Sequence, residues 1–441
     1  MKPSRIALAL AIAVAASFGP DDPSARAGVA LFALAGTLWL TEAISLTYTA
    51  LLIPLLGVAL GLADVSKALA GFAHPVIGLF LGGFALAAAL SAHGIDRWLA
   101  NRLMRLARGH ALAAALLLVL ATSLLSMWIS NTAAAAMMLP IALGLSVPLA
   151  AKYPRYQMFV LLGLAWGANI GGIATLVGSP PNAITAAALG LSFQDWHRVG
   201  MPAYLVVMPV ALVLLWLTLR PEPDLPPVST EILPFPDSRD ARLTVIIFLL
   251  TVSLWMAGSQ ASPLLGIKGD FDTWVALLAI ALLGLSRVTS WDDIEKGSNW
   301  GVLLLFGGGI TLSTVMQDSG ASRWMADVLL AWVPGDHPWL LYLAVALFVI
   351  FLSELVSNTA CAALLIPLMM TMATVTGLSP VTMAVLTGLA ASCSFMLPVG
   401  TPPNALVYGT GLVPQRTMIR AGLVMNLASA PLLVAVITLM T

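Results

Sequence analysis

Apolar runs of about 20 residues follow one another from one end of this chain to the other, the length a helix needs to cross a bilayer. In lipid every backbone N–H and C=O has to be satisfied within its own helix or by neighbouring protein. Such a chain can fold only as a bundle of membrane helices, so the fold class is all-α and polytopic. Composition agrees: 60% of the 441 residues are hydrophobic and 9% are charged. A soluble domain carries about 25% charged residues, so this chain has too little polar surface to cover itself in water. Its net charge is zero, which offers no basic surface to nucleic acid. The two cysteines, Cys361 and Cys393, lie inside apolar runs and read as small apolar filler, not as a metal cluster or disulfide framework. The opening MKPSRIALALAIAVAASF has the basic start and short apolar core of a signal peptide. A first transmembrane helix is the preferred reading, because the rest of the chain is itself membrane-embedded.

Two runs, 110–149 and 338–376, are too long for one crossing, and the same polar triplet interrupts each. Positions 130–140 read SNTAAAAMMLP and positions 357–367 read SNTACAALLIP. Two further long runs, 156–190 and 380–413, are broken by Pro-Pro in GSPPNA (178–183) and GTPPNA (400–405). The two triplets are separated by nearly the same length of chain as the two Pro-Pro motifs, which marks an internal duplication. The chain divides into 1–109, 110–219, a Pro-rich charged linker at 220–242 expected to be extended and solvent-exposed, 243–337, and 338–441. If each triplet segment is re-entrant, each repeat crosses the membrane five times. Five is odd, so the second repeat is inverted, and an N-terminal span precedes both. With the N-terminus in the cytoplasm, five of the 20 Lys and Arg (Arg26, Lys67, Arg198, Lys268 and Arg323) face outward and fifteen face inward, as the positive-inside rule requires. That count sets orientation and leaves open whether the triplet segments re-enter or cross twice.

The triplets supply the chemistry. Ser and Asn are good helix caps, and Ala-rich sequence is good helix. Each segment therefore reads as a helical hairpin whose second arm starts at the triplet. Its tip offers N–H groups to an anion and the free carbonyls of the first arm to a cation. Ser126 stands four residues before Ser130, and Ser353 four before Ser357, which on one helix stacks the hydroxyls on one face. Neutral oxygen ligands suit an alkali cation better than a soft metal. The Pro-Pro motifs are expected to break their helices at Gly178-Ser179 and Gly400-Thr401, freeing carbonyls beside a hydroxyl. Plainer readings are hydroxyls bonded back to their own helix, triplets that only join helices, and simple proline kinks.

No Lys or Arg falls in mid-span, so an anion would be held by helix ends, hydroxyls and amides. Glu354, in LSELVSNT beside the second tip, is either an ion-coupling group or a structural cap. An intramembrane enzyme would need a nucleophile–base pair or paired acids at depth. Asp292 and Asp293 sit in a loop, and His74, His93, His110, His197 and His337 sit at span edges. A channel would need one continuous polar pore, which two broken-helix repeats do not build.

On SMWISNTAAAAMMLP, SELVSNTACAALLIP, GSPPNAI and GTPPNAL, with WLTEAISLTYTALLIP and WDDIEKGSNWGVLLLFGGG, the chain from residue 27 onward resembles the divalent anion/sodium symporter family of dicarboxylate, citrate and sulfate carriers. The resemblance implies eleven spans, two re-entrant hairpins and a homodimer. It also implies elevator movement of a transport domain (110–219 with 338–441) against a scaffold (1–109 with 243–337), joined by the cytoplasmic linker. By motif match, one sodium ion would use Ser126, Ser130, Asn131 and the backbone at Gly178. A second would use Ser353, Ser357, Asn358 and the backbone at Gly400. Substrate carboxylates would meet Asn131, Thr132, Ser179, Asn358, Thr359 and Thr401. The implied function is import of a C4-type dicarboxylate (succinate, malate, fumarate) by sodium symport across a bacterial inner membrane. Sodium would be co-transported and not a prosthetic group, and lipid would be the surrounding partner. The alternatives are a sodium-independent dicarboxylate exchanger, or a carrier of citrate, sulfate or another oxyanion.

Overall fold

A computed structural model describes residues 3–228, 234–330 and 338–440; Lys2, His337 and the middle of the linker lie outside them. Every regular element among the described residues is a helix. Seven helical segments are long and apolar enough to cross a membrane, or eight if the pair Arg239–Met256 and Gly258–Leu265, bent by 95°, counts as one span. Others are apolar but shorter, among them Pro3–Ala16, Leu46–Ala59 and Phe271–Leu285. The eleven spans implied by resemblance are therefore not eleven full-length helices, because several of those segments are short or split.

Both triplets start a helix where the capping argument puts it. The first hairpin is Ala111–Ser126, a turn, and Asn131–Ser146, with Ser130 as N-cap accepting from Ala133 N at 3.2 Å. The second is Pro338–Ser353, a turn, and Asn358–Val375, with Ser357 at the N-cap. The Pro-Pro segments are more open than expected. Pro154–Gly171 stops well before the prolines, residues 172–179 carry only a short 3-10 turn, and Pro180–Leu189 resumes. In the second repeat Pro380–Ala391 stops, residues 392–401 are non-helical, and Pro402–Gly409 comes next.

Two side chains hold these breaks open. Asn182 Nδ2 donates to Gly172 O at 2.8 Å and Thr175 O at 2.7 Å. Asn404 Nδ2 donates to Ser394 O and Leu397 O, both at 3.1 Å. With the two Pro-Pro motifs aligned, the donor and both acceptors correspond position for position. The break takes these carbonyls out of regular helix pairing, and the asparagine after each Pro-Pro supplies N–H donors to them.

The broken halves interleave across the repeats. Pro402–Gly409 packs against Pro154–Gly171, and Pro180–Leu189 packs against Asn358–Val375. Trp166 and Phe395 meet at 5.4 Å between ring centres, joining the first repeat to the second break. A second pattern relates the remaining helices. A Cβ built on Gly82, in Pro75–Ala92, would lie 2.6 Å from Ala276 Cβ in Phe271–Leu285. A Cβ on Gly308, in Trp300–Asp318, would lie 2.7 Å from Ala50 Cβ in Leu46–Ala59. Gly308 stands to Gly82 in the sequence as Ala276 stands to Ala50, so the glycine of each half packs on the alanine of the other.

The described part of the linker before the next helix is extended and holds no buried residue, and its first part is tied down. The Glu222 carboxylate accepts from Arg155 N at 3.2 Å and Tyr156 N at 3.0 Å, capping Pro154–Gly171, with Arg155 Nε also at 3.2 Å. Val228 N donates to Gly109 O at 2.9 Å, and Phe235 stands edge-on to Trp98 at 5.0 Å. The unpaired N–H groups at a helix start attract a carboxylate, and nothing in the linker's own sequence aims Glu222 at them.

Candidate functional site

At the first hairpin tip the helix ends at Ser126, so helical spacing does not bring Ser130 beside it. Ser130 is exposed and its hydroxyl serves the cap. Ser126 is fully buried and reaches two other oxygens: its Oγ stands 2.7 Å from Asn131 Oδ1 and 2.7 Å from Ala168 O. The Asn131 oxygen also faces Gly178 O at 3.1 Å and Ala168 O at 3.3 Å. Four oxygens from the tip, the helix and the break thus converge. With the amide turned over, its nitrogen faces the same three oxygens as a donor and shares its two hydrogens among them. A Cβ on Gly172 would lie 2.3 Å from that Asn131 oxygen, so only glycine leaves room for it. Thr175 closes the junction by donating its hydroxyl to Met127 O.

The second tip is related but not identical. Ser353 Oγ lies 2.6 Å from Ser394 Oγ and donates to Ile350 O at 2.8 Å. Ser394 Oγ in turn donates to Asn358 Oδ1 at 3.4 Å. Ser357 makes no capping bond with its side chain, and the helical pairing expected for Ser353 and Ser357 is replaced by Ser353 with Ser394. Glu354 is 1% exposed, and with the triplets aligned it occupies the place that Met127 holds in the first repeat. Its carboxylate accepts from Met396 N at 2.7 Å, Leu397 N at 2.8 Å and Asn426 Nδ2 at 2.7 Å. It clamps the second break as the Met127 carbonyl clamps the first. A Cβ on Gly400 would lie 2.7 Å from Glu354 Oε2, so the Gly400 backbone is held next to that carboxylate.

The substrate candidates split by exposure. Thr132 is exposed and Asn131 and Asn358 are half-buried, while Thr359, Ser179 and Thr401 are buried. Ser179 Oγ lies 3.4 Å from Ser392 Oγ, and Thr401 Oγ1 caps Pro402–Gly409 by accepting from Asn404 N at 3.2 Å. Sequence reasoning missed Ala168, Asn169, Asn182, Ser394, Asn404 and Asn426. Asn182 and Asn404 did carry a signal, as the duplicated Asn of each Pro-Pro-Asn motif. Ala168 contributes a carbonyl, which no residue type advertises.

Two family models match this chain: one described as a citrate transporter, over residues 37–334, and one described as a sodium:sulfate symporter transmembrane region, over residues 235–440. An uncharacterized transporter of Haemophilus influenzae is 46% identical over 417 residues, covering 92% of this chain and 90% of its own. The sodium-dependent dicarboxylate transporter SdcS of Staphylococcus saprophyticus is 30% identical over 466 residues, covering 95% and 87%. The chain belongs to the divalent anion/sodium symporter family. This symporter-family member is an integral, multi-pass membrane transporter and not an enzyme. The fold has a solved likeness in the YdaH transporter of Alcanivorax borkumensis, with a TM-score of 0.54 at 16% identity, covering 84% of this chain and 86% of that one.

Proposed function

We propose that this transporter imports a C4-type dicarboxylate with sodium across a bacterial inner membrane, its N-terminus in the cytoplasm. The observation that carries the reading is the convergence of the Ser126 hydroxyl, the Asn131 amide and the Ala168 and Gly178 carbonyls where the first hairpin tip meets the break. Sodium is the cargo that such a neutral set of oxygens accommodates. Its repeat mate gathers Ser353, Asn358 and Ser394 beside Gly400 and Glu354. In this reading Asn131, Thr132, Ser179, Asn358, Thr359 and Thr401 meet the substrate carboxylates. Sodium orders the tips before the anion binds, which couples the two by linkage. The hairpins re-enter, each repeat makes five crossings, and the short or split helices cross together with the long ones. The segments 110–219 and 338–441 move as one domain against 1–109 and 243–337 in a homodimer, by an elevator motion. The SdcS likeness supports sodium and dicarboxylate as ligands.

The test is uptake of labelled succinate by purified protein in liposomes under sodium, proton or potassium gradients, with and without internal dicarboxylate. Sodium-driven uptake into empty liposomes is expected. Uptake that ignores sodium and requires internal substrate would make the protein an exchanger, and citrate or sulfate outcompeting succinate would move the substrate class. Asn131→Ala and Asn358→Ala should each abolish sodium-driven uptake; normal transport by both would overturn the site assignment.

A further inference from the structure

Asn169 is fully buried near the end of Pro154–Gly171, between the two oxygen clusters. Its chain neighbour Ala168 supplies the carbonyl that faces Ser126 and Asn131 in the first cluster. Its side chain reaches into the second repeat. Nδ2 donates to Thr401 Oγ1 at 3.0 Å, Ser394 O at 3.3 Å and Asn404 Oδ1 at 3.4 Å. Ser394 is the residue whose hydroxyl joins Ser353 to Asn358. Two consecutive residues therefore connect the first cluster to the second.

This link has no counterpart. With the Pro-Pro motifs aligned, the residue that matches Asn169 is Ala391. The consequence is visible at the partner amides: Asn404 Oδ1 receives Asn169 Nδ2, whereas its mate Asn182 Oδ1 is buried with no partner. Asn169 Oδ1 is likewise buried and unpaired. An unpaired buried acceptor is a standing cost, and the first repeat carries it where the second makes do with an alanine.

Building on the sodium reading above, we propose that Asn169 is the positioning residue that makes the two cation sites interdependent. A cation drawing on the Ala168 carbonyl fixes the end of this helix, and with it the Asn169 amide. The amide then holds Ser394 O and Thr401 Oγ1 in place for the second cluster. Linkage makes the effect mutual: occupancy of the second cluster tightens the first by the same factor.

The experiment titrates sodium on purified full-length protein in liposomes. The wild type should respond sigmoidally. Asn169→Ala should bring the Hill coefficient down to about 1 and raise half-saturating sodium by about tenfold, within the usual range of coupling between sites. Uptake at saturating sodium should survive. Asn169→Asp keeps the shape but removes the donor, and should lose cooperativity as well. A labelling assay reports coupling apart from turnover. A cysteine replacing the exposed Leu355 on the second tip is probed with a maleimide; the native Cys361 and Cys393 are fully buried. Ser126→Ala should raise the sodium needed to protect that cysteine when Asn169 is present, and should have no such effect with Asn169→Ala. An equal shift in both backgrounds, or an unchanged Hill coefficient in Asn169→Asp, would overturn the proposal. If wild-type uptake and labelling ignore sodium, the sodium reading itself fails, a result distinct from either of those.

Discussion

Gly172 decides where the Asn131 amide can sit. Gly172→Ala would put a methyl carbon 2.3 Å from the amide oxygen, so the amide must move off the cluster. We expect half-saturating sodium to rise about tenfold or more, read from uptake titrations. Gly144→Ala is the control: a Cβ there meets nothing within 4 Å. It should leave transport unchanged and raise the thermal midpoint, since alanine favours a helix interior by roughly 0.5–1 kcal/mol. The contacts of Glu354 fit the structural one of its two candidate roles. Its carboxylate accepts three N–H groups at 2.7–2.8 Å, which glutamine cannot do with one oxygen. Glu354→Gln should cost about 3 kcal/mol, measured by thermal unfolding in detergent. Full stability with lost sodium dependence would instead make Glu354 a coupling group. The duplicated polar residues were readable because each stood out in an apolar run. The carbonyls of Ala168 and Gly172, and the serine at 394, were not, because a backbone oxygen carries no residue signature and Ser394 has no polar mate at Gly172.

At the scale of elements, caps and breaks behaved differently. Both second arms start at the asparagine of their triplet, because capping is local and residue-specific. The breaks open earlier than Gly178 and Gly400, because where a helix stops depends on Asn182 and Asn404 reaching back to pair the freed carbonyls. The linker's anchorage was not legible for a similar reason: its partner, the start of Pro154–Gly171, is far away in sequence. Burial alone would raise the Glu222 carboxyl, but its own backbone N–H, those of Tyr156 and Arg155, and the Arg155 guanidinium hold it below its ordinary 4.5. A depressed carboxylate stabilises its contact above the ordinary value, and the contact is lost as pH falls through the depressed one. Limited proteolysis near residues 223–228 should therefore be slow at pH 7 and faster below pH 4.5. Glu222→Gln should be cut readily at both.

The whole molecule is held by exchange between its halves. Gly82 receives Ala276 and Gly308 receives Ala50, at positions one repeat length apart. Gly82→Val and Gly308→Val should each lower stability by about 1–3 kcal/mol or prevent folding, read from thermal unfolding and size-exclusion profiles. Either variant behaving as wild type would mean that the crossing is looser than these distances require. The duplication was legible from two motifs, but the pairing of helices was not, since equal offsets do not say which copy touches which. That pairing bears on how the protein is made. The half that leaves the ribosome first carries notches cut for helices not yet synthesised, so it has to wait in the bilayer, half-finished, for its partner. Two separately translated halves, divided within the linker, should then recognise each other and assemble, while either one alone should be cleared by the cell's proteases.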